Sequence, residues 1–220
     1  MRVGAQSKGL VRCVATEMLV LSSDVFIFPL MVIKKMKQMT VDQLHQLRLD
    51  IFDNAESLHK EAKLLLEHDF FARSYLLAYF CCEELGKLPI VVGAVGHLQK
   101  GDAADWKKIM KRFRDHKAKV DSDDMHHYMF GIDLDLVNDS DLKWLADARS
   151  LAKTRVDLKN NSTYVDVQDG NAISPLKEIN SEQASKMLER AFESLRAHWR
   201  SESLINPILI EALKKSDNTN

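Results

Sequence analysis

Residues 70–92 read FFARSYLLAYFCCEELGKLPIVV, a stretch long enough for several helical turns and apolar nearly all round. A helix with one apolar stripe lies on a surface, whereas one that is apolar on every side has to be surrounded by other elements. The stretch therefore predicts a central helix packed on by others. Pro89 should kink or end it, and Gly93, Gly96 and the Lys-Gly-Asp turn at 100–102 mark its exit. With 8 Gly and 4 Pro in 220 residues, turn-makers are too scarce for many short strands. The expected class is all-α, an up-and-down bundle of about five helices.

The remaining periodicities supply the partners. Thr40 and Gln43 have capping-box spacing and Met39 can staple to Leu44, so a first helix begins there. Leu44, Leu47, Ile51, Ala55, Leu58, Ala62 and Leu65 draw one stripe down it. The 70–92 stretch is the second helix. A third starts near Asp102, with Trp106, Ile109, Met110, Phe113 and Val120 inward and Arg112, His116 and Lys119 sharing a flank. The polar stretch DSDDMHHYMFGIDLD that follows reads as a solvated loop. A fourth helix spans about Ser140 to Leu158, with Leu142, Leu145, Ala148 and Ala152 inward. Around Asp169-Gly170 the period changes to two, predicting a small hairpin with a tight turn. Asn180 or Ser181 caps a fifth helix carrying Ala184, Leu188, Ala191 and Leu195, and Pro207 separates it from a last apolar turn.

These patterns describe one helical domain over 39–215 with a tail at 216–220. Residues 1–38 stand apart. Their apolar run is short and interrupted by Asp24 and Pro29, which argues against a membrane span or signal core. Two readings remain for this segment: an upstream extension, with Met36 and Met39 as alternative starts, or an extra element packed on the bundle. Three cysteines, Cys13 and the vicinal Cys81 and Cys82, make a poor disulfide framework and fit a reducing cytoplasm. Lys and Arg total 31 against 32 Asp and Glu, so no global field draws the chain to nucleic acid or membrane, and any phosphate binding has to be local.

One local candidate is RFRDHKAK at 112–119. On a continuous helix Arg112 and His116 lie one turn apart and converge on one small group. Arginine offers a fork of donors for phosphate oxygens, and histidine exchanges a proton near neutrality. That pairing fits metal-free RNA cleavage, in which a base activates the 2′-hydroxyl and a cation stabilises charge on phosphorus. A solvated charged flank has the same spacing. In CCEELGK, Glu83 and Glu84 sit in so apolar a helix that they need cationic partners: Lys87 nearby, or Arg112 and His116 across the bundle. Such a cluster serves either as a register-setting ion network or as a site. Asp121, Asp123, Asp124, His126 and His127 have ligand composition but no recognised ligand spacing, so neither metal nor cofactor is expected.

YLLAYFCCEELGKLPIV, then KRFRDHKAKV, then STYVDVQDG ahead of a proline resemble the AbiV family of bacterial abortive-infection proteins, a branch of the HEPN superfamily, over about Thr40 to Leu195. The resemblance implies a HEPN-like helical bundle and a role in antiphage defence. Many HEPN relatives are metal-independent ribonucleases that act as homodimers, so RNA and a second copy are the implied partners. A phage-encoded activator or the translation machinery is implied beside them. Carried onto this sequence, Arg112 stabilises phosphate, His116 is the general base or acid, and Glu83, Glu84, Lys87 and Lys119 support them. The superfamily motif usually separates Arg from His by four to six residues, whereas three lie between Arg112 and His116 here.

Overall fold

The structure, a computed structural model, describes residues 38–130 and 139–217. The segment before Gln38, and with it nearly all of the 1–38 extension, lies outside the described residues, as do residues 131–138. In chain order the elements are α1 (Val41–Glu67), α2 (Phe71–Leu85), α3 (Leu88–Gln99), α4 (Trp106–Arg114), α5 (His116–Phe130), α6 (Asp139–Asn161), β1 (Asp166–Gln168), β2 (Asn171–Ile173), α7 (Pro175–Glu178), α8 (Ser181–Ile205) and α9 (Pro207–Asp217). Among the described residues the fold is all-α, with one two-stranded hairpin.

The first helix begins as its residues require. Thr40 Oγ1 accepts from the Gln43 amide and the Gln43 side chain accepts from the Thr40 amide. Leu44, Ile51, Ala55 and Ala62 are buried, while Leu47 and Leu58 are half-buried against the same core. Asn180 and Gln183 build the same capping box ahead of α8. The hairpin pairs Asp166 with Ile173 across Asp169 and Gly170, at φ 50° and 79°. Positive φ at both central residues is what a tight right-twisted turn demands.

The apolar 70–92 stretch takes the central place. Its α2 portion packs most extensively against α1 and α8 and also meets α5 and α6. Fully buried Ala55, Ala62, Ala78, Ala184 and Ala191 let these backbones approach closely. The stretch divides into α2 and α3 at Gly86 and Lys87, with Pro89 in the first turn of α3, where its missing N–H costs nothing. Gly86 has ordinary helical φ of −61°, so space and not dihedral freedom calls for glycine there. A Cβ at this position would run into the Lys119 carbonyl oxygen of α5.

Two expectations are corrected. The third helix is not continuous: it stops at Asp115, whose ψ of 109° is extended, and α5 starts at His116. Asp115 Oδ1 accepts from the Ala118 amide, so the residue that ends α4 also caps the start of α5. The stretch read as a solvated loop is helical through Phe130, with Asp123, Asp124, His126 and His127 buried. Its residues 131–135 lie outside the described residues. The five expected helices thus correspond to α1, α2 with α3, α4 with α5, α6 and α8, two of the five being broken.

Candidate nucleic-acid site

The α4 helix, WKKIMKRFR, carries Lys107, Lys108, Lys111, Arg112 and Arg114, all exposed, and no acidic residue. Trp106, Ile109 and Phe113 hold its other face on the core. A chain with net charge −1 thereby presents a locally basic helix. The whole-chain balance hides it.

At the end of this helix, the Asp115 break sends Arg112 and His116 to different anchors. Arg112 Nη2 donates to Ser122 Oγ on α5 at 3.0 Å. His116, the first residue of α5, instead reaches α2, where its Nδ1 lies 2.6 Å from Glu83 Oε1. The other Glu83 oxygen accepts from Lys119 Nζ at 2.6 Å. Glu83 and Lys119 are buried, but the His116 side chain is 54% exposed. With both Glu83 oxygens accepting, Nδ1 of His116 is the donor, and Nε2 is the ring nitrogen that Glu83 does not engage. A carboxylate that fixes the tautomer and orientation of an exposed imidazole is the arrangement general base catalysis uses. Burial, then the adjacent Glu83 charge, pushes the Tyr79 phenol well above its ordinary value, which makes that side of Glu83 a neutral wall.

Of the six residues singled out in the sequence, the structure brings together Glu83, His116 and Lys119. Glu84 and Lys87 pair with each other at the turn after α2, about one-fifth exposed. Arg112 joins Ser122 instead of the trio. The single helix flank expected to carry Arg112 and His116 is interrupted, because Asp115 ends α4 between them, and the two side chains are held by different partners. Lys117 is exposed and pairs with Asp121.

A second polar cluster escaped the sequence reading. Asp123 and Asp124 of α5 meet Arg190 of α8 at 2.8 and 3.1 Å, and Arg155 of α6 donates to Asp124 at 2.6 Å. Ser194 and His198 also donate to Asp123. Burial alone would raise the Asp123 carboxyl, but Arg190 and these hydrogen bonds outweigh it and hold it far below its usual range. The available signal was Arg190, Ser194 and His198 at i, i+4 and i+8, a polar row beside the apolar stripe of α8. The His126 ring stacks on His198 at 3.6 Å between centroids and 5° between planes. Burial, then His198, pushes His126 down to about 3; burial, then Arg190, pushes His127 down to about 4. A third buried cluster joins Arg48 to Glu202 at 2.9 Å, with His45 and Asn206 completing it.

Among the described residues, no group of three or more His, Cys, Asp or Glu side chains is placed to hold a metal ion, and no helix is long and apolar enough to cross a membrane. Cys81 and Cys82 are free thiols, and burial pushes both well up. No curated protein and no solved structure matches the chain. A family model, AbiV of the HEPN group, matches residues 43–196, which takes in the whole α2 to α5 region holding Glu83, Arg112, His116 and Lys119. The chain belongs to the AbiV family of HEPN proteins, a family of abortive infection and antiphage defence.

Proposed function

We propose that this chain is an antiphage effector that cleaves RNA without a metal ion, His116 moving the proton and Arg112 holding phosphate. The observation that carries the reading is the exposed His116 imidazole held at Nδ1 by buried Glu83, next to a helix with five exposed basic residues. In this scheme Nε2 of His116 takes the 2′-hydroxyl proton and returns one to the leaving 5′-oxygen. Glu83 steadies the imidazolium that forms in between, and Lys119 keeps Glu83 in place. The lysines of α4 hold the strand by its phosphates, an interaction that weakens with salt.

Because Asp115 separates the anchors of Arg112 and His116, a complete site calls for a second copy whose Arg112 faces this His116. The effector is accordingly a homodimer, working in the cytoplasm to stop translation. Its trigger is a phage-encoded activator or a change in the translation machinery. One observation favours a second reading, in which the cluster is structural and the chain is a non-catalytic interaction module: Arg112 is engaged by Ser122 and not by the His116 cluster.

The test is cleavage of total cellular RNA in EDTA by purified wild type and the His116→Ala variant. Cutting by wild type alone is expected. Equal cutting by both removes His116 from the chemistry, and cutting by neither, with both proteins folded, leaves the interaction module.

A further inference from the structure

Between α2, α6 and α8 lies a cavity of about 410 Å³ whose lining includes none of Glu83, Arg112, His116 and Lys119. That volume falls in the range of roughly 300–1,000 Å³ typical of small-molecule sites. Leu151, Leu158 and Met187 make much of its wall apolar. Tyr75 of α2, Arg155 of α6, and Lys186 and Arg190 of α8 supply most of the polar part. Asp147 is the one acidic residue of the lining, and it is exposed, where water and salt screen its charge.

The carboxylates that balance the two arginines, Asp123 and Asp124, stand outside this lining. Arg155 donates to Asp124 through both terminal nitrogens, at 3.2 and 2.6 Å, and through Nη2 to the Ala148 carbonyl at 2.9 Å. Its Nε is buried and has no hydrogen-bond partner among the described residues. A buried donor left unmatched is costly, and an acceptor brought by a ligand relieves it. The Tyr75 hydroxyl is a second donor. Its side chain is buried, and its contact with the Arg155 carbonyl, at 3.5 Å, lies at the outer limit of a hydrogen bond, so a closer acceptor can take its proton. Burial pushes this phenol well above its ordinary value, which keeps the proton in place at neutral pH. Two aspartates cancel two arginines, so the charge left to balance an anion comes from Lys186 at the rim. Lys186 is 73% exposed, and its pair with Glu182 is a surface bridge that is exchanged at little cost.

Apolar walls, two buried donors and one cation at the rim describe an occupant with an apolar body and a singly charged acceptor group. A carboxylate has two oxygens for the two donors, whereas a phosphate adds charge that a single rim lysine leaves unbalanced. We propose that this cavity binds an apolar monocarboxylic acid, its carboxylate on Arg155 Nε and Tyr75 Oη and its hydrocarbon against Leu151, Leu158 and Met187. The site goes beyond the RNA reading and does not depend on it. Because Arg155 and Arg190 also hold Asp124 and Asp123, the occupant sits on the side chains that fasten α5, the helix that starts at His116.

The test titrates the full chain calorimetrically with decanoate, decanol and acetate, at concentrations below micelle formation. Decanoate should bind once per chain and about tenfold or more tighter than decanol, which has the hydrocarbon without the charge. It should also bind far tighter than acetate, which has the charge without the hydrocarbon. Tyr75→Phe removes one donor with almost no change of volume and should weaken decanoate severalfold, decanol less. Lys186→Glu, at an exposed position outside the core, should weaken decanoate and spare decanol, and it decides the matter should Tyr75→Phe not fold. Absence of decanoate binding overturns the proposal, as does equal binding of decanoate and decanol. So does decanoate affinity unchanged by Lys186→Glu, or uptake of several decanoates per chain that neither variant alters, which is adsorption on exposed apolar surface. RNA cleavage is scored separately, so a failed RNA reading leaves the decanoate result standing, and the reverse.

Discussion

Replacing Glu83 by glutamine removes one charge and almost no volume. It thereby isolates what that charge does between α2 and α5. In the folded chain the carboxylate lies 2.6 Å from Lys119 Nζ, with side-chain exposures of 5% and 9%. At an effective dielectric of about 20, charges at this separation attract by about 6 kcal/mol, and desolvation of both ions takes back part of that. Without the carboxylate, Lys119 stays buried with no countercharge, a situation that typically costs about 3–5 kcal/mol. Glutamine still offers one acceptor, so the low end applies. A loss of about 3 kcal/mol lowers the melting temperature of a domain this size by about 6–12 °C. Thermal unfolding followed by circular dichroism reads it directly. The companion variant Glu83→Gln/Lys119→Met removes both charges and should recover most of the loss, since the penalty belongs to the unpaired lysine. RNA cleavage should stay impaired in that double variant, because His116 still lacks its carboxylate. A Glu83→Gln loss below about 1 kcal/mol would show the pair to be screened like a surface bridge and refute the reasoning. A double variant no more stable than the single would refute it equally.

Gly86→Ala should destabilise by several kcal/mol, above the roughly 1–3 kcal/mol of ordinary overpacking, because the obstacle is the Lys119 backbone and not a movable side chain; melting within about 2 °C of wild type would show that α2 and α5 can part freely. Stability should also fall on acidification before most carboxylates titrate. His126 and His127 have folded values near 3 and 4 against about 6.5 unfolded, so between pH 6.5 and those values the unfolded chain binds more protons and stability declines as pH falls. At pH 5 the His126 contribution alone is about 2 kcal/mol, at about 1.4 kcal/mol per pH unit; a melting temperature flat from pH 7 to 5 would contradict it.

Much of this molecule is written locally. The Thr40–Gln43 and Asn180–Gln183 boxes, the α1 stripe, the Asp169-Gly170 turn and the centrality of residues 70–92 each follow from residues within a turn or two of one another, so single-chain periodicity and capping chemistry suffice to find them. The residues of the candidate site were also visible, because carboxylates in so apolar a helix demand cations. Which cation meets which carboxylate was not. The close approach of Gly86 to the Lys119 carbonyl brings α5 against α2, and that contact gives Glu83 to His116 and Lys119 while Glu84 keeps Lys87. Asp115 illustrates the limit: the periodicity of 102–120 suits one helix, and Asp115 suits a cap equally well. The direction α5 must take to pack on α2 and α8 decides for the cap, and with it the different partners of Arg112 and His116. Likewise Asp123 and Asp124 read as part of a solvated loop, and become a buried network once α5, α6 and α8 bring them to Arg155 and Arg190. Local order is set by short-range sterics and hydrogen bonding, whereas charge pairing across helices depends on distances that exist only after the bundle has closed.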